Sequence, residues 1–332
     1  LAWRRLRADR VAMLSLAVVV AFLIMLLLSA TGVIAKHWND DVGVNYAPPT
    51  LIGPDTEDDV AASQAAAAKD TTPIDYYGVT DPLAADMTAI HTELAKSSVE
   101  KTRVRQTTLP FGADKWGRDI IQKTIKGSET SITVGLVAAL LSVILGTLLG
   151  AVSGYFGGWI DDALNWFYSI FTSIPYLLLI LAVAAVLQQK GILSIVLILS
   201  LTGWTGTYRL IRAEYMKHKA REYVLAADAI GASHMRKMFV HIFPNVSHVA
   251  LVQMSLMVVN FIKSEVILSF LGFGVPIGVV SWGSMLNEAK NELILGHWWQ
   301  MMAASVAMAV LVTAFSLFTD ALRDALDPKL KS

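Results

Sequence analysis

Five windows of this chain carry no charged residue at all: 11–35, 130–160, 163–189, 191–208 and 298–319. A sixth, 246–274, carries two, Lys263 and Glu265. Crossing the hydrocarbon core of a bilayer takes about 20 largely apolar residues. Within that core the backbone polar groups have to be satisfied inside the segment, which a helix achieves. The pattern predicts an all-α, polytopic membrane protein with six transmembrane helices. Composition agrees: 55% of residues are hydrophobic and 16% charged, against about a quarter charged in soluble domains. The first window is too long for a signal peptide, and no convincing cleavage site follows it. The chain opens on Leu1 rather than Met, which reads as a few preceding residues missing.

Charge sets the expected orientation. Arg4, Arg5, Arg7 and Arg10 precede the first span and place the N-terminus in the cytoplasm. Six crossings return the C-terminus, with Arg323, Lys329 and Lys331, to the same side. The loop between spans four and five falls there too, and holds Arg209, Arg212, Lys217, Lys219, Arg221, Arg236 and Lys237. Residues 36–110 form a long extracytoplasmic segment, acidic and then Ala-rich at its centre and broken by Pro48, Pro49, Pro54, Pro73 and Pro82. It reads as a solvated cap or as a contact surface for a soluble external partner. The expected organisation is a cytoplasmic N-terminus and first helix over 1–35, the extracytoplasmic insert 36–110, and a core of five further helices over 111–332. Net charge is zero, which gives no electrostatic case for nucleic acid. Cys is absent, so disulfides and thiolate chemistry are excluded.

The stretch 221–245, REYVLAADAIGASHMRKMFVHIFPN, is a charged, helix-compatible insert between very hydrophobic segments. Ala226 and Ala227 would give a first short helix a flat face able to sit in a partner's groove. Gly231 would end that helix, Ser233 would cap a second, and Pro244 would stop it and re-aim the chain into span five. Ser142, Gly146, Gly150 and Gly154 recur every fourth residue in span two, a small-residue stripe that lets another helix approach closely. Gly157 and Gly158 turn the chain before Asp161 and Asp162, and Pro175 is expected to kink span three. Charges within spans usually face a cavity or each other. Lys263 and Glu265 point about 200° apart on a helix, so they cannot easily pair, and with Pro175 they are candidates for a transport pathway. In FGADKWGRDII, Asp114 can cap a turn, Gly117 permits positive φ, and Ile120, Ile121, Thr124 and Ile125 are expected to form the apolar face of an interfacial helix. Residues 271–297 read as a half-inserted or external loop followed by a short amphipathic helix at 284–295. His234, His241 and His248 recur every seven residues, not at the four-residue spacing of helical metal pairs, and no metal site is expected.

The 221–245 stretch resembles the EAA loop of ABC-importer permeases: two alanines, three residues, Gly231, then Pro244. Leu225 stands where that pattern has Glu, His241 where it has Ile, and Phe243 where it has Leu. FGADKWGRD, LSFLGFGV at 268–275 and RDALDP near the end resemble segments of the dipeptide/oligopeptide branch, with the long 37–105 loop pointing to a longer-loop subset. The resemblance implies the type I importer fold, with a cytoplasmic coupling loop over 213–245. It also implies a homologous second permease, two ATPase subunits that bind ATP and Mg, an extracytoplasmic solute-binding protein, and a bacterial cytoplasmic membrane around the complex. By the same resemblance Glu222, Tyr223, Ala226, Ala227, Gly231, Ala232, Ser233 and Pro244 would contact the ATPase. The cargo expected is di- or oligopeptides, with nickel or oligosaccharide as the alternatives carried by the same architecture. No P-loop, HExxH or GxSxG motif is present. This chain is therefore expected to bind no cofactor and to perform no catalysis. A stand-alone channel or ion-coupled carrier is the alternative of another class; it would need its own coupling residues in the spans, where only Lys263 and Glu265 qualify.

Overall fold

The computed structural model describes residues 6–7, 9–53, 87, 90, 105–189, 191–276 and 278–326. Arg4, Arg5, the centre of the long insert and the last six residues lie outside them. The chain divides into two compact units, Trp38–Ile121 and the remainder.

The larger unit is helical. Helix α1 (Arg10–Ala30) starts at Asp9, whose carboxylate accepts hydrogen bonds from the Val11 and Ala12 amides. This satisfies two of the orphan donors of a first turn. Helix α2 runs unbroken over Ile120–Phe156. Gly157, with φ +68°, then turns the chain into α3 (Gly158–Ser173). Helices α4 (Tyr176–Leu187), α5 (Ile192–Gly203), α6 (Thr205–Lys219) and α7 (Glu222–Ala229) follow. Helix α8 spans His234–Phe270, α9 Trp282–Ile294 and α10 Trp299–Leu326. Helix α1 packs on α10, and α9 on both α8 and α10. Four of these helices are long and apolar enough to cross a bilayer, and six crossings result if each of two bent pairs is one span. The pairs are α3 with α4, bent by 92° at the break before Tyr176, and α5 with α6, bent by 41°. Pro175 sits at the sharper break, as the residue ahead of α4. Its missing N–H is harmless at a helix start and disruptive inside one.

Two expectations need correction. Pro244 does not end a helix, because α8 continues through it to Phe270. Residues Lys237–Ile242 form a π-helical turn just ahead, in which the Phe243 amide donates to the Met238 carbonyl five residues back. In an α-helical turn the proline ring would press on the carbonyl four residues back; the wider turn relieves that contact. The apolar face expected at the start of α2 holds only in part: Ile120 is fully buried, and Thr124 and Ile125 are half-buried. Ile121 is exposed, whereas Lys123 is buried, its ammonium donating to Glu288 at 2.6 Å and Gln300 at 3.0 Å. A carboxylate and an amide oxygen meet the charge, which allows a lysine to be buried here.

Helix α9 starts two residues ahead of the predicted 284. Ser281 and Ser284 form a reciprocal capping box, and the buried Trp282 anchors the helix by donating from its indole N–H to the Thr124 carbonyl at 3.1 Å.

In the smaller unit, Ala47, Leu109 and Ala113 make a compact apolar cluster. Asp114 accepts from the Trp116 and Arg118 amides. Gly117 lies against the Gly43 carbonyl, so close that no β-carbon would fit. Isolated backbone bridges, such as Asp41 with Arg118 and Pro49 with Leu109, tie its segments together.

Candidate coupling site

The small-residue stripe of α2 lies along α6. A β-carbon at Gly146 would stand 2.6 Å from the Trp204 carbonyl oxygen, one at Gly150 2.7 Å from that of Tyr208, and one at Gly154 2.5 Å from that of Arg212. The two backbones meet without intervening side chains at three successive turns. Ser142 continues the stripe, fully buried, at the level of Gly203 on α5. The seam is closed by a forked ion pair. Arg212 donates from Nε to Asp161 Oδ1 at 2.6 Å and from Nη2 to Oδ2 at 2.5 Å. Ser153 and Asn165 add hydrogen bonds to the same carboxylate, so the first turn of α3, the last turns of α2 and the middle of α6 share one node. A doubly hydrogen-bonded guanidinium–carboxylate pair fixes orientation as well as distance.

Helix α6 leads directly into α7. Val224 and Ala227 are buried, three residues apart on one face of α7. Ala227 therefore belongs to this chain's own packing and does not lie on the face it was expected to offer a partner. The free face carries Tyr223, Leu225, Ala226 and Ile230, the last 84% exposed. Gly231, with φ +76°, ends the helix in a left-handed cap: its amide donates to Asp228 O, and that of Ala232 to Ala227 O. This is the paired pattern of a Schellman motif. Ser233 accepts from the Arg236 amide and opens α8. Met235 adds another exposed apolar side chain at this start. Glu222 and Ser233 are exposed, and Ala232 half-buried.

Side chains fix α7 from both sides. The buried Lys237 forms an ion pair with Asp228, and that ammonium hydrogen bond holds the Asp228 carboxyl below the usual aspartate range. Tyr155, at the end of α2, shares a 2.8 Å hydrogen bond with His234 Nδ1, and Lys219 lies over its ring. The Tyr223 hydroxyl meets His218 Nδ1 at 2.8 Å. The Tyr215 hydroxyl donates to the Met238 carbonyl at 3.1 Å, inside the π-helical turn. Tyr155 and Tyr215 were not singled out from sequence, and Lys237 only as one of the loop's orienting charges. Lys237 lies nine residues from Asp228 across a left-handed turn, a separation that no helical periodicity marks.

The two charges of span five part company. Glu265 is fully buried, and accepts hydrogen bonds from Ser131 at 2.6 Å and Ser269 at 2.7 Å. It lines no open surface of this chain, which corrects its candidacy for the pathway. A carboxyl enclosed by α2, α8 and the start of α9 needs those hydroxyls to satisfy its oxygens. Lys263 is exposed, as is Pro175.

A family model described as "Binding-protein-dependent transport system inner membrane component" matches residues 143–332. A second, "N-terminal TM domain of oligopeptide transport permease C", matches residues 1–49. The dipeptide transport system permease protein DppC of Bacillus subtilis is 36% identical, over 74% of this chain and 78% of the relative. The chain belongs to the dipeptide/oligopeptide-type permeases of binding-protein-dependent ABC importers. The oligopeptide transport system permease protein OppC of B. subtilis is 37% identical to this permease over 67% of its length and 72% of the relative. The Lactococcus lactis DppC is 30% identical over 99% of the permease and 90% of the relative, an alignment that takes in the long insert. In fold, the permease is similar to a chain of the MetNI methionine ABC transporter solved in inward-facing conformations. That likeness has a TM-score of 0.50 at 14% identity, over 63% of this chain and 98% of the other. The architecture is that of type I importer permeases.

Proposed function

We propose that this permease is the membrane subunit of an ATP-driven importer of di- or oligopeptides in a bacterial cytoplasmic membrane. It forms the pathway with a homologous permease, receives cargo from an extracytoplasmic solute-binding protein, and couples to two ATPase subunits through residues 221–245. ATP and Mg sit on those subunits. The peptide cargo follows from the relatives, whose names are dipeptide and oligopeptide permeases.

The observation that carries the coupling role is the construction of α7. Its outer face leaves Leu225, Ala226 and Ile230 uncovered, while its inner face is packed and its ends are tied to α6 and α8. An exposed apolar ridge on a firmly held element suits a permanent protein contact, and a firmly held element passes displacement to the helices it joins. Ile230→Glu should leave the permease inserted and thermally unchanged but lower ATPase copurification after detergent extraction, with transport falling in parallel. Ala227→Arg, on the inner face, should lower the melting temperature of the permease itself. Undiminished ATPase retention and transport in Ile230→Glu would remove the assignment.

A further inference from the structure

Lys263 is a cation on the outside of a transmembrane helix. It forms no hydrogen bond or ion pair with any described residue, nor does the Asn260 side chain one turn before it, and both are exposed. Their depth can be read from their neighbours. Ile262 packs on Gly135 of α2, where a β-carbon would stand 2.5 Å from Ile262 Cγ1. Gly135 lies six residues beyond Glu129, the last charge before the uncharged stretch 130–160, which is about 9 Å along the helix. Phe261 closes on Gly203 beside Ser142, near the middle of that stretch. Lys263 therefore sits inside the charge-free belt of the protein. A lipid-facing ammonium is strongly disfavoured at that depth, and such residues usually mark a route for cargo or ions.

The surroundings are polar as well. Asn260 and Ser264 are four residues apart and share a face of α8. Ser264 is buried and donates to the Asn260 carbonyl at 2.9 Å, which leaves the Asn260 carboxamide and the Lys263 ammonium as the exposed polar groups of this turn. The turn thus offers one cation and one carboxamide, and it exposes no carboxylate. That set complements a peptide's C-terminus, in which a carboxylate follows amide N–H and C=O groups.

The geometry points to Lys263 as the residue that receives the terminal carboxylate of a peptide in transit, with Asn260 facing its backbone. This rests on the peptide-importer reading above and names the cargo group that the pathway recognises. The test uses the complete complex, with its binding protein, in proteoliposomes, fed a labelled peptide as free acid and as C-terminal amide. Lys263→Gln should cut free-acid uptake about tenfold while leaving amide uptake within about twofold of wild type. Lys263→Arg should retain acid uptake. Because the chain has no other Cys, Lys263→Cys can be assembled first and then modified. A 2-aminoethyl methanethiosulfonate, which restores an ammonium, should recover acid uptake, and the neutral ethyl reagent should not. Equal rescue by both reagents, or wild-type acid uptake in Lys263→Gln, overturns the assignment and is what a lysine reaching lipid phosphate would give. Parallel loss of acid and amide uptake with loosened permease pairing overturns it in favour of an ion pair with the second permease. If the wild-type complex takes up no peptide, the importer reading fails instead.

Discussion

The seam between α2 and α6 and the outer ridge of α7 lie along one stretch of chain and are built in opposite ways. In the seam, Gly146, Gly150 and Gly154 bring backbone against backbone, and Asp161 with Arg212 closes the end. Nothing is left for another molecule to add. On α7, Val224 and Ala227 are inside, with Ile230 and Leu225 in the open. Small residues served both, but at opposite ends of the burial scale: Gly150 removes a side chain so that two helices can touch, whereas Ala226 keeps a surface low. The difference teaches that a small residue in a membrane protein marks close approach only when its neighbour in space is known.

The largest expected effect strikes the seam. Gly150→Leu places four carbons where one β-carbon already meets the Tyr208 carbonyl at 2.7 Å. Overpacking costs about 1–3 kcal/mol and occasionally more, and a backbone contact cannot relax by a rotamer change. The purified variant should melt well below wild type or fail to extract folded, and an unchanged melting temperature would mean that the seam tolerates separation. A smaller loss is expected from Arg212→Lys. Lysine keeps the charge but cannot reproduce two parallel N–H donors, and hydrogen bonds to charged groups are worth about 1.5–3 kcal/mol. Thermal melting should fall by less than in Gly150→Leu, and proteolysis should become faster around 157–165.

How much of this was legible in the sequence depends on the range over which each interaction acts. The spans were legible because a charge in hydrocarbon is costly at any position, so its absence is a local signal. The elbow at Pro175 and the left-handed cap at Gly231 were legible because backbone chemistry at one residue fixes them. The π-helical turn was not, since Pro244 alone reads as a stop and the widening that accommodates it is supplied upstream, beside Tyr215. The inward face of Ala227 and the enclosure of Glu265 by Ser131 depend on which helices pack together, and Ser131 is 134 residues away. One sequence gives no sign of such a pairing.

The smallest expected effect concerns the ridge side of the comparison. Lys237 lowers the pKa of Asp228 in the fold. The ion pair therefore contributes fully at any pH above the ordinary aspartate value of about 4, and its contribution fades as pH falls through the lowered one. Amide exchange in α7, corrected for intrinsic rates, should stay constant through neutral pH and quicken only in strong acid. Asp228→Asn should raise it modestly at neutral pH and remove the acid dependence. A change centred in the neutral range would mean that another group controls the exchange.

The wide turn at Lys237–Ile242 has a consequence for phase. A π-helical turn takes more residues to complete a circle than an α-helical one. One surplus residue shifts the rest of the helix by about 100°. The seven-residue recurrence of His234, His241 and His248 describes a common face only if the winding is constant, and here it changes between the first and the last of them. What faces α7 before Pro244 and what faces the bilayer after it are set on two different angular scales. A substitution scan of α8 should be plotted on two wheels, one ending at Ile242 and one beginning at Phe243.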